Sequence, residues 1–295
     1  MTTRPASLVT IVRRALVGEC ALPAGSALVA AVSGGPDSMA LLSVLARLGP
    51  RAGLSIFAHG VDHGLRRDAA RELDLAEQLA AKVGVPFART HVSVARGGNV
   101  QARARELRWR ALVDVARRHD AAIATAHHAD DRAETLLMRL LRGAGARGLG
   151  VLPARAQAPG TGGDGQPPAV TVIRPLLRAR RRDVLLHVER HGVPFATDPS
   201  NTDPRYLRTA VRHEVLPLLG KLDPEIVRHL EALADELVMA APRGKPAEEW
   251  ASALPRATQE ALAKLRASGS RDARVWLPGG LVVSVDPRAR GKKAR

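Results

Sequence analysis

The sequence predicts an α/β protein: a mostly parallel, doubly wound sheet followed by a small helical domain. Three observations carry this. Short apolar runs alternate with helix-period stretches through the first half of the chain. Polar motifs stand where those apolar runs end, as ligand groups do at the carboxyl ends of parallel strands. From Arg178 onward helical periodicity dominates.

The apolar runs are Ala27 to Val32, Leu54 to Val61, Val85 to Val94 and Ala121 to Ala126, each short enough for a buried strand. Met39 to Leu48, Asp68 to Val83, Arg103 to His119 and Ala133 to Leu141 carry the helices between and after them. Ala156 to Ala169, rich in Gly, Pro and Gln, reads as a flexible surface loop. Val170 to Leu177 returns as a further strand, ending in Arg174 and Pro175. Helices are expected over Asp183 to His191, Tyr206 to Leu219 and Pro224 to Met239. Val275 to Val285, with Pro278-Gly279-Gly280 inside, reads as a short hairpin, and Arg288 to Arg295 as a basic frayed end. The expected domains are 1–220 and 221–295, with the boundary near Leu216 to Asp223.

The 295 residues suffice for one sizeable α/β domain and a smaller one. No apolar run reaches the length of a membrane span, and the N-terminus lacks the pattern of a signal peptide, so a cytoplasmic location is expected. Cys20 stands alone, which rules out an internal disulfide or a thiolate metal cluster from this chain; a half-buried apolar filler is expected. The 45 Lys and Arg against 29 Asp and Glu give a net charge of +16. That excess fits either arginine-rich coding of solvated positions or a polyanionic partner. With aromatics at 2%, stacking on a single strand is excluded as the main grip, which leaves phosphates and the shape of a folded RNA.

The first motif is Ser33-Gly34-Gly35-Pro36-Asp37-Ser38, between the first strand and its helix. Gly34 and Gly35 can take positive φ and leave no Cβ between backbone N–H groups and an anion. Ser33 and Ser38 add hydroxyls, and the helix N-terminus points its positive end at the same place. Asp37 would repel phosphate alone, so its expected task is to hold Mg2+. No lysine follows at Walker spacing.

Val61-Asp62-His63-Gly64-Leu65-Arg66 ends the second strand, either as a plain turn or with Asp62, His63 and Arg66 facing the crevice. Asn99 is expected to cap a helix on which Arg105 and Arg108 share a face; it is either solvated or set to meet a phosphate. Thr125-Ala126-His127-His128-Ala129-Asp130-Asp131-Arg132-Ala133-Glu134 is the densest cluster. Asp131 and Glu134, three apart, could clamp an amine or merely complement the helix dipole. A zinc reading of His127, His128 and Asp131 lacks further ligands close in sequence. Finally, Asp198 to Tyr206 forms a polar turn into a helix on which Arg205, Arg208 and Arg212 recur as a basic stripe, either a solvated face or part of a built site.

The Ser-Gly-Gly-x-Asp-Ser loop is similar to that of the N-type ATP pyrophosphatases, a PP-loop, Rossmann-like superfamily. With the later motifs, Ala27 to Leu219 resembles the tRNA(Ile)-lysidine synthase family. The resemblance implies ligation of free lysine, with ATP, to C2 of the wobble cytidine in the CAU-anticodon isoleucine tRNA, through an adenylated cytidine. It implies that Ser33 to Ser38 hold ATP, with Asp37 at Mg2+. Arg105 would approach the nucleotide phosphate or the activated cytidine. Asp131 and Glu134 would hold lysine; Arg205, Arg208 and Arg212 would face phosphate or tRNA. His63 and His127 are nearby candidates without a fixed role. Arg132, Trp109 and Thr209 depart from the family's usual Gln, Tyr and Asn. Longer members carry a further tRNA-gripping domain, so 221–295 is expected to be a reduced version. Oligomeric state stays open, a homodimer included.

Three rivals share parts of this pattern. A 2-thiocytidine-type sulfurtransferase needs paired cysteines. A small-molecule amidotransferase-like synthetase would act without RNA. A non-catalytic RNA-binding protein with a relic loop would turn over no ATP.

Overall fold

A computed structural model describes residues 6–64, 69–94, 97, 99–162, 167–197, 207–240, 256–268, 274–276 and 282–284. Helix α1 (Leu8–Val17) opens the chain, with the Ser7 hydroxyl accepting from Thr10 N–H at its start. Then follow β1 (Ala27–Val32), α2 (Pro36–Ala52), β2 (Ser55–Asp62), α3 (Ala69–Lys82), β3 (Phe87–His91), α4 (Val100–Arg118), β4 (Ala121–Ala124) and α5 (Ala129–Leu141). A short α6 (Ala146–Leu149) leads to β5 (Arg155–Gln157) and β6 (Thr171–Ile173), then α7 (Arg181–Arg190). The six strands form one sheet in the order β3-β2-β1-β4-β6-β5, parallel except for β5.

Both sheet faces are covered, as a parallel sheet requires. Along β1, Leu28, Ala30 and Val32 pack toward α1, α2 and α7, while Val29 and Ala31 meet Trp109, Leu112 and Ala116 of α4. Trp109 is therefore a core residue. Cys20 is fully buried, not half-buried, and burial pushes its thiol up to about 11.

Several boundaries differ from the sequence reading, among them α4 (from Val100, not Arg103), α5 (from Ala129, not Ala133) and β6 (Thr171–Ile173, not Val170 to Leu177), and two differences have a local cause. Helix α2 runs past Pro50, which forgoes one helical N–H bond, and stops at Gly53 with φ +65°. The stretch expected as a loop from Ala156 begins inside β5, which pairs with β6 from Arg155↔Ile173 to Gln157↔Thr171. A three-residue edge strand is too short to show periodicity.

After the sheet, α8 (Leu207–Ala210), a π-helical turn (Val211–Val215) and α9 (Leu216–Leu222) form one continuous rod. The widened turn precedes Pro217, which has no N–H to donate, and Leu216 N–H bonds Val211 O instead. Helix α10 (Ile226–Ala240) packs on α5 and α6. Helix α11 (Arg256–Ser268) and the antiparallel pair β7 (Arg274–Trp276) and β8 (Val282–Ser284) complete the described elements, the pair starting one residue before the expected hairpin. Arg205, Arg66, the Asp198 to Tyr206 turn and the basic tail Arg288 to Arg295 lie outside the described residues.

Candidate active site

The chain runs from β1 outward to β2 and β3, then returns to β4 on the other side of β1. A crevice opens at such a switch point, at the carboxyl ends of β1 and β4. The loop after β1 and the helix after β4 meet there.

In the loop, Gly34 has φ +80°, and a Cβ on it would stand 2.4 Å from the Glu72 carbonyl oxygen of α3. Only glycine fits. Gly35 differs from expectation: its φ is −74°, and a Cβ would meet nothing nearer than Ser33 Oγ at 3.8 Å. Its missing side chain leaves room rather than relieving strain. Ser38 Oγ accepts from Ser33 N–H at 3.1 Å and donates to Gly35 O at 3.0 Å, which fixes the turn. No side chain caps α2, so its first-turn N–H groups point at the crevice. Ala196 N–H bonds Gly34 O, bringing the chain after α7 onto the loop.

Asp37 Oδ1 is buried without a hydrogen-bond partner. Burial raises this carboxyl, with Asp131 adding to the effect and His128 opposing it. An orphaned carboxylate oxygen beside an uncapped helix N-terminus fits a cation shared with phosphates. Among the described residues no group of three His, Cys, Asp or Glu could hold a metal unaided. Mg2+ at Asp37 would thus depend on phosphate oxygens for its other ligands.

His128, fully buried, is the residue that sequence reasoning left without a role. Its Nδ1 accepts from Asp131 N–H at 3.3 Å and Asp131 Oδ2 accepts from His128 N–H at 3.2 Å, a reciprocal cap on α5. That leaves Nε2 3.6 Å from Asp37 Oδ1 and 3.4 Å from Asp131 Oδ2. The signal was in the sequence: a His three residues before an Asp, at the end of a strand. Histidine is simply an uncommon cap. Asp130 instead turns outward to Arg180 at 3.1 Å and to Arg181 N–H at 2.7 Å.

The predicted acid pair and the predicted arginines meet each other. Arg208 bonds Glu134 at 2.9 Å and Asp131 at 3.0 Å; Arg212 bonds Glu134 at 2.6 and 2.9 Å and Asp131 at 3.3 Å. Arg208 and Arg212 are not a solvated stripe. Burial alone would pull Arg212 down, yet its bond to Glu134 and the nearby carboxylates hold it above the usual guanidinium value. Glu134 is 1% exposed and Asp131 13%, so Asp131 is the more reachable carboxylate. A cleft of about 300 Å3 borders Asp130, Glu134, Arg180, Arg181 and Arg212.

His127 accepts or donates at 3.0 Å to Thr125 Oγ1, and burial drives it down to about 3, so the ring is neutral at physiological pH. His63 lies on the same crevice near Arg108, and burial followed by that charge lowers it. Arg105 reaches solvent, while the surrounding protein and then Arg208 disfavour its charge. Asn99 does not cap α4 through its side chain. Its backbone is left-handed, at φ +64°, and its carbonyl takes the N–H groups of Ala102 and Arg103 instead.

Arg132 has a structural explanation. It is 1% exposed and bonds Asp235 of α10 at 2.6 Å and Val151 O at 3.0 Å. Arg178 joins the same carboxylate at 2.6 Å and Glu19 at 2.8 Å.

A doubly wound sheet with an uncapped glycine loop after its first strand defines a nucleotide-phosphate-binding domain, and the profile of the PP-loop domain family matches residues 10–219. A tRNA(Ile)-lysidine synthase from Thermobifida fusca is 40% identical over 251 residues, 84% of this chain and 72% of that protein. Namesakes from Novosphingobium aromaticivorans (44% over 183 residues, 62% and 53%) and Geobacter sulfurreducens (36% over 279, 89% and 51%) also match. The chain belongs to the tRNA(Ile)-lysidine synthase family of PP-loop proteins. It spans about half the length of the last two relatives. In fold it is similar to the U34-tRNA thiolase NcsA of Methanococcus maripaludis, with a TM-score of 0.65, 18% identity, and 81% and 82% of the two chains covered. No helix among the described residues is long and apolar enough to cross a membrane.

Proposed function

We propose that this chain joins free lysine to C2 of the wobble cytidine of the isoleucine tRNA with a CAU anticodon, using ATP. The product would read AUA instead of AUG and carry isoleucine identity. The observation that carries the reading is the placement of Asp37 of the phosphate loop 3.6 Å from His128, itself 3.4 Å from Asp131. A phosphate-binding turn and an acidic, arginine-rich cluster thus share one crevice, next to each other as a two-step ligation needs. The names of the relatives supply the substrates.

Ser33 to Ser38 and the α2 N-terminus would hold the ATP phosphates, with Asp37 at Mg2+. The cytidine C2 oxygen is a poor leaving group; its attack on the α phosphorus breaks the α–β anhydride, releases pyrophosphate and makes that oxygen part of a good leaving group, AMP. The lysine ε-amine then forms the C2–N bond and AMP leaves. Arg105 would stabilise charge on the transferring phosphoryl. The lysine amine would be met by Asp131, in exchange for part of the Arg208 contact. His127, neutral, and His63 would line the crevice beside the cytidine. Residues 221–295 would help grip the tRNA, together with Arg205, and a cytoplasmic setting goes with this substrate. The buried, high-pKa thiol of Cys20 gives no support to sulfur transfer.

The reading is tested by pyrophosphate release from ATP with and without tRNA. Release that needs the RNA and disappears in Asp37→Ala supports it. Undiminished RNA binding with no ATP turnover in the unaltered protein would mark a binding module instead.

A further inference from the structure

Beyond the acid-paired arginines, the crevice holds a second basic group, of which the reading above uses only Arg105. Arg174 follows β6, whose pairing with β4 (Ala124↔Ile173, with Thr125 N–H on Ile173 O) sets it beside the segment leading to His127. By strand alternation it shares the face of Val172, the side covered by α4. It is 8% exposed, its Nη1 donates to Pro153 O at 2.6 Å, and its Nε is buried with no partner. Arg105 and Arg108 come from α4, one turn apart. Arg139 comes from α5 and donates to Gly148 O.

None of these four guanidiniums pairs with a carboxylate among the described residues. They disfavour one another: Arg105 lies within charge range of Arg108, Arg139 and Arg174, and the charge of each is disfavoured by the surrounding protein and then by Arg105. A buried, unpartnered guanidinium N–H is costly unless something outside the chain satisfies it. The group is also extended. From Asp131, which holds Arg208, to Arg139 is eight residues of α5, about 12 Å at the helical rise. In the reading above, the compact phosphates of a nucleotide go to the phosphate loop.

We propose that Arg105, Arg108, Arg139 and Arg174 form a seat for phosphate oxyanions of an RNA backbone, the phosphodiesters flanking the nucleotide in the crevice. The seat rests on the functional reading above for its RNA, not for its chemistry. The same oxyanion could come from ATP or pyrophosphate, and the experiment separates these sources.

The experiment measures binding of a CAU-anticodon isoleucine tRNA transcript at several KCl concentrations, and of ATP and pyrophosphate separately. The proteins are the unaltered chain, Arg108→Gln, Arg139→Gln and Arg174→Gln, with Arg108→Lys and Arg174→Lys as charge-keeping partners. Arg108 is solvent-exposed, so its variant stays informative if Arg174→Gln does not fold. Expected is a roughly five- to tenfold loss of RNA affinity per neutral variant, with the log–log salt slope shallower by about one. The lysine variants recover part of it, and ATP binding is unchanged. A loss confined to ATP and pyrophosphate would overturn the RNA assignment. Unchanged binding of all three would overturn the seat itself. Salt-dependent, variant-sensitive RNA binding without lysine incorporation would instead sink the functional reading and leave the seat standing.

Discussion

Arg132 of α5 donates to Asp235 of α10 at 2.6 Å, so the helix that carries Asp131 and Glu134 is tied to the chain beyond the sheet through a buried charge. Removing the carboxylate strands that charge. Asp235→Ala is expected to cost about 3–5 kcal/mol, whereas Arg132→Gln, which removes the charge along with its need for a partner, costs less. Urea unfolding of both variants checks this, and equal losses would contradict it.

His128 has two tasks that substitution can separate. His128→Ala removes the α5 cap, for about 1 kcal/mol, and also the Nε2 group facing Asp37. His128→Asn keeps a capping acceptor and loses only the second. Both should lower tRNA-dependent pyrophosphate release roughly tenfold, the equivalent of one hydrogen bond in the transition state. Only the alanine variant should melt earlier.

Stability should fall with acid in a defined window. His59 and His187 are buried, and burial holds each at about 4, against an ordinary value of 6.5. A depressed histidine binds its proton less readily folded than unfolded, so its contribution is present above 6.5 and is lost as pH falls toward 4. At pH 5 the loss is about 2 kcal/mol for each. His187→Gln, which can keep the bond to Ser43 Oγ, should flatten the pH dependence between neutral pH and 5 by that amount. An unaltered pH dependence in the variant would contradict the assignment.

Asp131→Asn should raise the lysine KM at least tenfold, or about 1.4 kcal/mol of lost amine binding. Lysine-independent ATP–pyrophosphate exchange should be largely retained. Loss of that exchange to the same extent as ligation would place Asp131 in activation instead.

The sheet, its order of elements and the phosphate loop were legible because each rests on local signals. Runs such as Ala27 to Val32 are buried on both faces, and Gly34 is demanded by a backbone contact no other residue allows. Pairings across long sequence distances were not legible. Nothing in the spacing of Asp131 and Glu134 says that Arg208 and Arg212, more than 70 residues on, would occupy them. Arg132 reads as a departure from the family until Asp235 is seen beside it. Asn99 failed as a cap because its backbone is left-handed, which residue type alone does not specify. The roles of His63 and His127 stayed open because a strand-end histidine is defined by what faces it.

The most direct measurement is incorporation of labelled lysine into purified tRNA, with and without ATP, comparing the CAU-anticodon isoleucine tRNA with methionine tRNA. Label is expected in the isoleucine tRNA alone, and only with ATP. No label in either, while RNA still stimulates pyrophosphate release, would contradict lysine as the nucleophile and leave only the activation step.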